Sequence, residues 1–218
     1  MASRITLPEG LLPDRVSCII SNQLAPDFAL LEAEETTTAA MVDKRRREFV
    51  HGRCCARQAL ANLGYPDCPV PVGEDRAPVW PDRVVGSISH CDGTATAVAA
   101  HIENACSLGI DLERCEALDA ALMPMICRRE ELARLDGDER ERLLGKLIFS
   151  AKESLFKCIW PEVRRFVDFQ EVEIRLNLED NSYTARPHAA DLPAGLFEQV
   201  QGRIGQTGGL WVTAAFRS

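Results

Sequence analysis

The chain has 218 residues, of which 46% are hydrophobic and 27% charged, with 14 Gly and 12 Pro. These values are typical of a folded globular protein with one large domain or two smaller ones, and they exclude collagen, a coiled coil and a wholly disordered chain. The 25 basic and 33 acidic residues give a net charge of -8, which excludes a protein held on nucleic acid by charge alone. Any phosphate-binding site must therefore be local.

The cysteines and the start of the chain bear on the compartment. The nine cysteines are odd in number, form no CxxC motif and include only one close pair, Cys54 and Cys55, which indicates reduced thiols. The first residues lack the apolar run of a signal peptide, and no run of about 18 apolar residues occurs. We therefore expect a cytoplasmic protein without a transmembrane segment.

The first half of the sequence predicts a strand, a long helix and a hairpin. A β-branched run predicts a strand over 16–20, an acidic stretch over 32–38 reads as a helix start or loop, and helical spacing of apolar residues covers 44–63. Five prolines predict an extended loop over 66–86. Two further strands, 86–90 and 94–101, flank a turn at Asp92-Gly93.

The second half predicts a strand, two helices and a closing strand. The strand covers 106–113, and helices at 125–135 and 138–160 are separated by Asp136-Gly137, the second ending at Pro161. One or two strands are expected within 166–178 and turns over 179–208, before a strand over 209–216.

Two observations predict two similar α/β halves, residues 1–105 and 106–218. Each half ends in a similar apolar strand. The halves also carry equal net charge, because 10 basic and 14 acidic residues in the first give -4, as do 15 and 19 in the second.

Paired acids stand on the strand predicted at 106–113. Asp111 and Glu113 are two residues apart, so their side chains leave the same face. Hard oxygen ligands without a neighbouring His or Cys suit magnesium. The alternative is an exposed strand face that carries two solvated acids.

The helices carry further candidates. Glu153 and Lys157 are one turn apart, away from the apolar stripe of the long helix; as a plain surface ion pair they would contribute roughly 0.2–0.5 kcal/mol. Arg53 occupies a helical position where an apolar residue is expected, so its guanidinium is predicted to reach into a cleft.

Several motifs in fixed order carry a resemblance to a known family. They are Arg45 with Phe49-Val-His-Gly-Arg53, Arg76-Ala-Pro-Val-Trp80-Pro81, Gly86-Ser-Ile-Ser-His90-Cys91, the hexapeptide Leu108-Gly-Ile-Asp111-Leu-Glu113, and Phe149-Ser-Ala-Lys152-Glu153 followed by Lys157. In this order, across about residues 44–158, the chain resembles the 4'-phosphopantetheinyl transferases of the surfactin and enterobactin type.

The resemblance implies a fold, a reaction and a set of site residues. The fold is α/β with two similar halves packed as an intramolecular pseudo-dimer. Such enzymes transfer the 4'-phosphopantetheine arm of coenzyme A to a serine of an apo acyl or peptidyl carrier protein, release 3',5'-ADP and use magnesium, with manganese as a second option. By resemblance Asp111, Glu113 and Glu153 hold the metal, and the catalytic residues are Glu153, Lys157 and Glu113. Either Glu153 or a water held by Glu113 takes the proton of the serine. The residues expected at coenzyme A are Arg45, Arg53, Arg76, Ser89, His90, Lys152 and Lys157.

The expected partners are carriers of siderophore, nonribosomal peptide or polyketide synthesis, with enterobactin as one such product, and the chain is expected to be monomeric. Because carriers are acidic, we expect a local basic docking surface formed by Arg128, Arg129 and Arg134 with Leu122, Met123 and Met125. An ordinary amphipathic helix is the alternative there. For the whole chain, the alternatives are a magnesium-dependent nucleotide phosphohydrolase and a non-catalytic subunit that binds coenzyme A or a carrier.

Overall fold

The computed structural model describes residues 5–36, 38–135 and 139–218. The elements of the first half are β1 (Ser17–Ser21), α1 (Glu32–Glu35), α2 (Asp43–Asn62), β2 (Val84–Cys91) and β3 (Thr94–His101). The second half begins with β4 (Ser107–Arg114), α3 (Met123–Ile126), α4 (Arg129–Leu132) and α5 (Glu139–Val163). It continues with a 3-10 turn (Phe169–Glu171), β5 (Val172–Asn177), β6 (Ser182–Pro187), α6 (Ala194–Glu198), β7 (Gln201–Thr207) and β8 (Leu210–Arg217).

The first sheet is an antiparallel sheet of three strands in the order β1-β3-β2, covered by α2. Its hairpin turns at Asp92 and Gly93, whose φ angles of 50° and 76° match the twist of the flanking strands, so the predicted turn is confirmed. α2 approaches the sheet closely at Gly52, where an added Cβ would stand 2.9 Å from Ile88 Cγ2. Beyond the helix, Gly64 has a φ of 91°, the left-handed conformation expected after a helix end.

The second sheet is antiparallel, with five strands in the order β4-β8-β7-β6-β5. α5 packs on β4 so closely that a Cβ at Gly109 would overlap the carbonyl oxygen of Ser154. Only glycine allows this approach of helix to strand. The close contact fixes the position of α5 relative to the acids of β4.

The two halves meet where β2 faces β4, a boundary that we call the seam. Serine side chains of β2 join the two strands there: Ser87 Oγ accepts from the backbone N–H of Ile110 at 3.1 Å, and Ser89 Oγ accepts from that of Leu112 at 3.2 Å. On their other sides β2 pairs with β3 and β4 pairs with β8, the last strand of each half. The predicted α/β fold with two halves is confirmed, and each half contains one sheet.

The helix predicted over 125–135 is wrong, because the chain forms two short helices there. Cys127 and Arg128 lie between them in extended conformation, with ψ angles of 130° and 159°. A β-type ψ breaks the helical hydrogen-bond ladder. The turn predicted at residues 136–137 lies outside the described residues.

Two further boundaries differ from the prediction. α5 does not end at Pro161 but continues to Val163, and it stops where Arg164 takes a φ of 50°. The region 179–208, predicted as turns, contains β6, α6 and β7. In the described ranges no helix is long and apolar enough to cross a membrane.

Candidate active site

Asp111 lies at the centre of the seam and is almost fully buried, with 5% of its surface exposed. Its Oδ1 accepts hydrogen bonds from Ser89 Oγ at 3.0 Å and from Lys157 Nζ at 2.8 Å. Its Oδ2 accepts from Ser150 Oγ at 2.9 Å. Residues from β2 and α5 therefore hold one carboxylate of β4, and the closeness of α5 to β4 makes this possible.

Glu113 leaves the same face of β4 and is half-buried. Its Oε2 lies 2.6 Å from Lys146 Nζ on α5. Burial raises the pKa of the Glu113 carboxyl; the hydrogen bond from Lys146 opposes the rise, and the charge of Asp111 adds to it. Glu113 thus binds protons more readily than an exposed glutamate.

Glu153 and Lys157 face the acids of β4 from one side of α5. Lys157 Nζ donates to the carbonyl oxygen of Ile110 at 2.9 Å as well as to Asp111. Burial raises the pKa of Glu153, as do the charges of Asp111 and Glu113, whereas the charge of Lys157 lowers it. Because the charges of Asp111 and Glu113 both contribute to the raised pKa of Glu153, the three carboxylates lie in one region of negative charge.

The carboxylate oxygens of Asp111, Glu113 and Glu153 are the kind of ligand that a hard divalent cation prefers. A cation between them would also relieve the repulsion that raises the pKa values of Glu113 and Glu153. In their present arrangement, however, no three His, Cys, Asp or Glu side chains within residues 5–36, 38–135 and 139–218 are grouped closely enough to hold one metal ion. Asp111 and Glu113 are bonded to Lys157 and Lys146 instead.

Arg45 and His90 form a pair on the α2 side of the seam. Arg45 Nη1 lies 2.8 Å from His90 Nε2, so Nε2 must be the acceptor and the ring proton is assigned to Nδ1. Burial lowers the pKa of His90; Glu48, whose Oε2 is 3.8 Å from Nδ1, opposes this change. Glu48 Oε2 also lies 3.9 Å from Arg45 Nη1, so an anionic ligand at this pair would compete with Glu48 for the guanidinium.

Arg53 is buried, with 6% of its surface exposed, and its Cζ lies 4.2 Å from the centroid of the Phe49 ring. Its Nε has no hydrogen-bond partner among the described residues. Burial lowers the pKa of Arg53 to about 10; the charge of Glu34 opposes this change and that of Arg45 adds to it. A buried cation with an unpaired N–H group fits an anionic ligand.

Two residues predicted at coenzyme A occupy different settings. Ser89 is buried at 7% exposure, and its single hydroxyl hydrogen points to Asp111, so it orients the acid. Arg76 is exposed on a hairpin of the proline-rich loop, and its side chain forms no hydrogen bond or ion pair with any described residue.

Lys152, which was predicted to bind phosphate, has all its contacts inside the fold. This lysine is fully buried, and its ammonium donates to the carbonyl oxygens of Ile126 at 2.8 Å and Phe169 at 2.7 Å and to Glu131 Oε2 at 2.9 Å. All three hydrogens are used. Helical geometry explains the difference, because Lys152 precedes Glu153 by one position and therefore points about 100° away from the seam.

Sequence reasoning gave no role to three residues that contact this network. Ser150 orients Asp111, Lys146 pairs with Glu113, and Glu131 holds Lys152. Ser150 could have been found from its place in the motif, three residues before Glu153. Nothing in the spacing of the other two signals their partners.

Most of the predicted docking surface serves the fold. Arg128 donates to the carbonyl oxygen of Gln170, and Met123 is 7% exposed. Arg134 donates a hydrogen bond to Glu173 at 2.6 Å. The same carboxylate has hydrogen bonds with Arg175 and His188 at 3.1 Å each. Exposed side chains remain at Arg129, Leu122 and Met125.

Comparison with known proteins bears on this arrangement. The family model of the 4'-phosphopantetheinyl transferase N-terminal domain matches residues 33–100, and that of the 4'-phosphopantetheinyl transferase superfamily matches residues 107–212. The chain is 38% identical over 174 residues to 4'-phosphopantetheinyl transferase Npt of Nocardia iowensis, covering 80% of this chain and 78% of that protein. The chain belongs to the 4'-phosphopantetheinyl transferase superfamily.

Other relatives agree with the family. The phosphopantetheinyl transferase Svp of Streptomyces mobaraensis is 41% identical over 168 residues, 74% of this chain and 68% of the relative. Enterobactin synthase component D of Escherichia coli is 41% identical over 133 residues, which cover 58% of this chain and 61% of the relative. The protein is therefore an enzyme, a 4'-phosphopantetheinyl transferase, with coenzyme A as its substrate and a carrier protein as its partner.

Proposed function

We propose that the seam between β2 and β4 is the catalytic centre of the transfer, with the 3',5'-ADP part of coenzyme A on the α2 side. The observation that carries the proposal is the contact of Lys157 with Asp111 beside Glu153, together with the pair of Arg45 and His90 on the α2 side. Acids and cations along one seam suit a substrate that has a pyrophosphate at one end and a phosphate at the other.

We assign Asp111, Glu113 and Glu153 as the ligands of the metal ion. The ion that we expect there is magnesium. A bound magnesium ion would neutralise charge on the pyrophosphate. Loading it would require Lys157 and Lys146 to release Asp111 and Glu113, which both lysines can do because each is a flexible side chain. The donor chemistry supports this assignment.

In the transfer, the serine oxygen of the carrier forms a bond to the phosphorus next to pantetheine. The bond from that phosphorus to the bridging oxygen breaks, and 3',5'-ADP leaves. The base that takes the serine proton is either Glu153 or a water held by Glu113. Lys157 uses two of its three hydrogens on Ile110 and Asp111, so the third is available to a phosphate oxygen of the leaving ADP.

On the α2 side of the seam, Arg45, Arg53 and His90 are assigned to the 3'-phosphate side of coenzyme A, and Arg76 is assigned to the same part of the substrate. The unpaired Nε of Arg53 supports this placement. Ser89 and Lys152 were predicted to bind the same substrate. In this proposal Ser89 orients Asp111, and Lys152 stabilises the fold.

We also propose a division at residues 105/106, which the two separate sheets support. Carriers of siderophore, nonribosomal peptide or polyketide synthesis are the proposed partners, and the name of the enterobactin synthase relative supports the first of these. A monomeric state and a cytoplasmic location remain predictions.

The test is the intact mass of an apo carrier protein after incubation with coenzyme A, magnesium and this protein. We expect a mass gain equal to one phosphopantetheine group, and none after chelation of the metal until magnesium or manganese is restored. Glu153→Gln should abolish the gain, whereas Glu162→Gln, an exposed acid on the same helix, should retain it. Release of ADP from coenzyme A without any carrier would indicate a hydrolase, and no gain with any of several carriers would overturn the proposal.

A further inference from the structure

The exposed hairpin that carries Arg76 has a well-defined backbone. An antiparallel bridge joins Val72 to Pro78, and the N–H of Val79 donates to the carbonyl oxygen of Pro71 at 2.9 Å. At its tip the N–H of Gly73 donates to the carbonyl oxygen of Ala77 at 2.8 Å. We call residues 71–79 the tip hairpin. These internal bonds fix the shape of the hairpin, but they do not fix its position relative to the rest of the protein.

Asp75 connects the tip hairpin to the other half of the protein. Its Oδ1 accepts the N–H of Ala77 at 3.0 Å, which closes the tip. Its Oδ2 accepts two hydrogen bonds at 3.0 Å each, one from Trp160 Nε1 and one from Arg164 Nη1. One carboxylate therefore shapes the tip and fastens it to the end of α5.

The donors to Asp75 lie in line with the proposed catalytic residues. Trp160 follows Lys157 by three positions and Glu153 by seven, so all three project from one face of α5. Arg164 comes directly after the helix. The face that carries the proposed base thus also carries the anchor of the tip hairpin.

We propose that Asp75 is a positioning residue: it holds the tip hairpin on α5 so that Arg76 stands over the coenzyme A side of the seam and binds the 3'-phosphate. This inference rests on the proposed function and on the assignment of Arg76. The Arg76 side chain bonds no other described residue, so its placement depends on the backbone that Asp75 fixes. Asp75 then acts on binding of coenzyme A and not on the chemical step.

The test compares Asp75→Asn with Asp82→Asn. Asparagine at 75 can still accept from Ala77, but its amide nitrogen faces the two donors and breaks the link to α5. Asp82 is an exposed acid of the same loop, without a side-chain partner in the described ranges, so its substitution is a matched charge control. For Asp75→Asn we expect KM for coenzyme A to rise about fivefold, kcat to stay within about twofold and Tm within about 2 °C. The control should match the unchanged protein.

Two further measurements show whether Asp75 acts through Arg76. In the background of Arg76→Ala, Asp75→Asn should raise KM less than about twofold more, because the effects of residues that act through one contact are not additive. With 3'-dephosphocoenzyme A as substrate, Asp75→Asn should have no effect on KM. Trp160→Phe, which removes one donor and keeps an aromatic ring, should move KM for coenzyme A in the same direction as Asp75→Asn.

An unchanged KM in Asp75→Asn, a full effect in the Arg76→Ala background, or an equal effect on 3'-dephosphocoenzyme A would overturn the inference. So would a loss of kcat together with Tm, because that pattern indicates a merely structural residue. Calorimetric binding of coenzyme A repeats the comparison without a carrier. Failure of the proposed function, seen as an unmodified carrier with the unchanged protein, is therefore distinguishable from failure of this inference.

Discussion

Replacing Lys152 by methionine tests whether this lysine serves the reaction or the fold. The two lysines of the α5 motif occupy opposite settings: Lys152 has no exposed surface, whereas 30% of the Lys157 side chain is exposed. Methionine keeps most of the length and volume of lysine but has no hydrogens to donate. The carbonyl oxygens of Ile126 and Phe169 would lose a donor, and Glu131 would lose its cation.

The size of the effect follows from these partners. Breaking a buried ion pair by removing one member costs about 3–5 kcal/mol. Glu131 would keep the backbone N–H groups of Arg128 at 2.6 Å and Ile174 at 2.5 Å, so we expect the lower end, about 3 kcal/mol in the free energy of unfolding. For a chain of this size each kcal/mol shifts Tm by roughly 2–4 °C, which gives a decrease of roughly 6–12 °C.

Urea unfolding and the carrier mass assay together show whether Lys152 serves the fold or the reaction. Lys152→Met should unfold at lower urea, yet transfer phosphopantetheine at close to the usual rate well below its Tm. Lys157→Met should do the reverse, with transfer lost and a smaller change in the unfolding midpoint. If Lys152→Met unfolded at the same urea concentration as the unchanged protein and lost transfer, Lys152 would be a phosphate ligand. That result would refute the structural role assigned to Lys152.

Three other changes give distinct outcomes. Gly109→Ala places a methyl group on the carbonyl oxygen of Ser154 and should lower the free energy of unfolding by about 3 kcal/mol or prevent folding, measured by urea titration. Tyr183→Phe removes the 2.8 Å bond between the buried phenol and the Ser154 hydroxyl and should cost about 1 kcal/mol in the same titration. Burial raises the pKa of Glu173, but hydrogen bonds from its three basic partners lower it to about 2. Because this pKa lies below the usual 4.5, Glu173 adds stability above about pH 4.5 and loses it as pH falls toward 2. Glu173→Gln should therefore cost about 3 kcal/mol at pH 7 and less than half of that at pH 3; an equal cost at both pH values would contradict this account.

Local patterns sufficed for much of the fold. The strand over Thr94–His101 was predicted with its observed bounds, and the α2 helix lies within one residue of its prediction at each end. The spacing of Asp111 and Glu113 on a strand, and of Glu153 and Lys157 on a helix, also predicted which side chains share a face. The structure brings these two faces together.

Other features depend on contacts between distant parts of the chain. β6 and β7 lie in a region rich in Asp, Asn, Ser, Gly and Pro, where local propensity favours turns, and neighbouring strands hold them in the sheet. Lys152 was predicted to bind phosphate because its motif stands beside Glu153. Its real partners are a glutamate 21 positions before it and backbone carbonyls from two other segments, which no sequence spacing marks.

The pairing of β4 with β8 has a consequence for how the protein is made. Asp111 lies opposite Thr213 in that pair, about a hundred positions later in the chain. When β4 and its two acids leave the ribosome, the rest of the second sheet has still to be synthesised. Only then does β4 gain its strand partner. Contacts of such long sequence separation form slowly. A chain stopped before residue 210 would thus contain every proposed catalytic residue and still be unable to assemble them, so loss of the last strand should be as harmful as loss of the site itself.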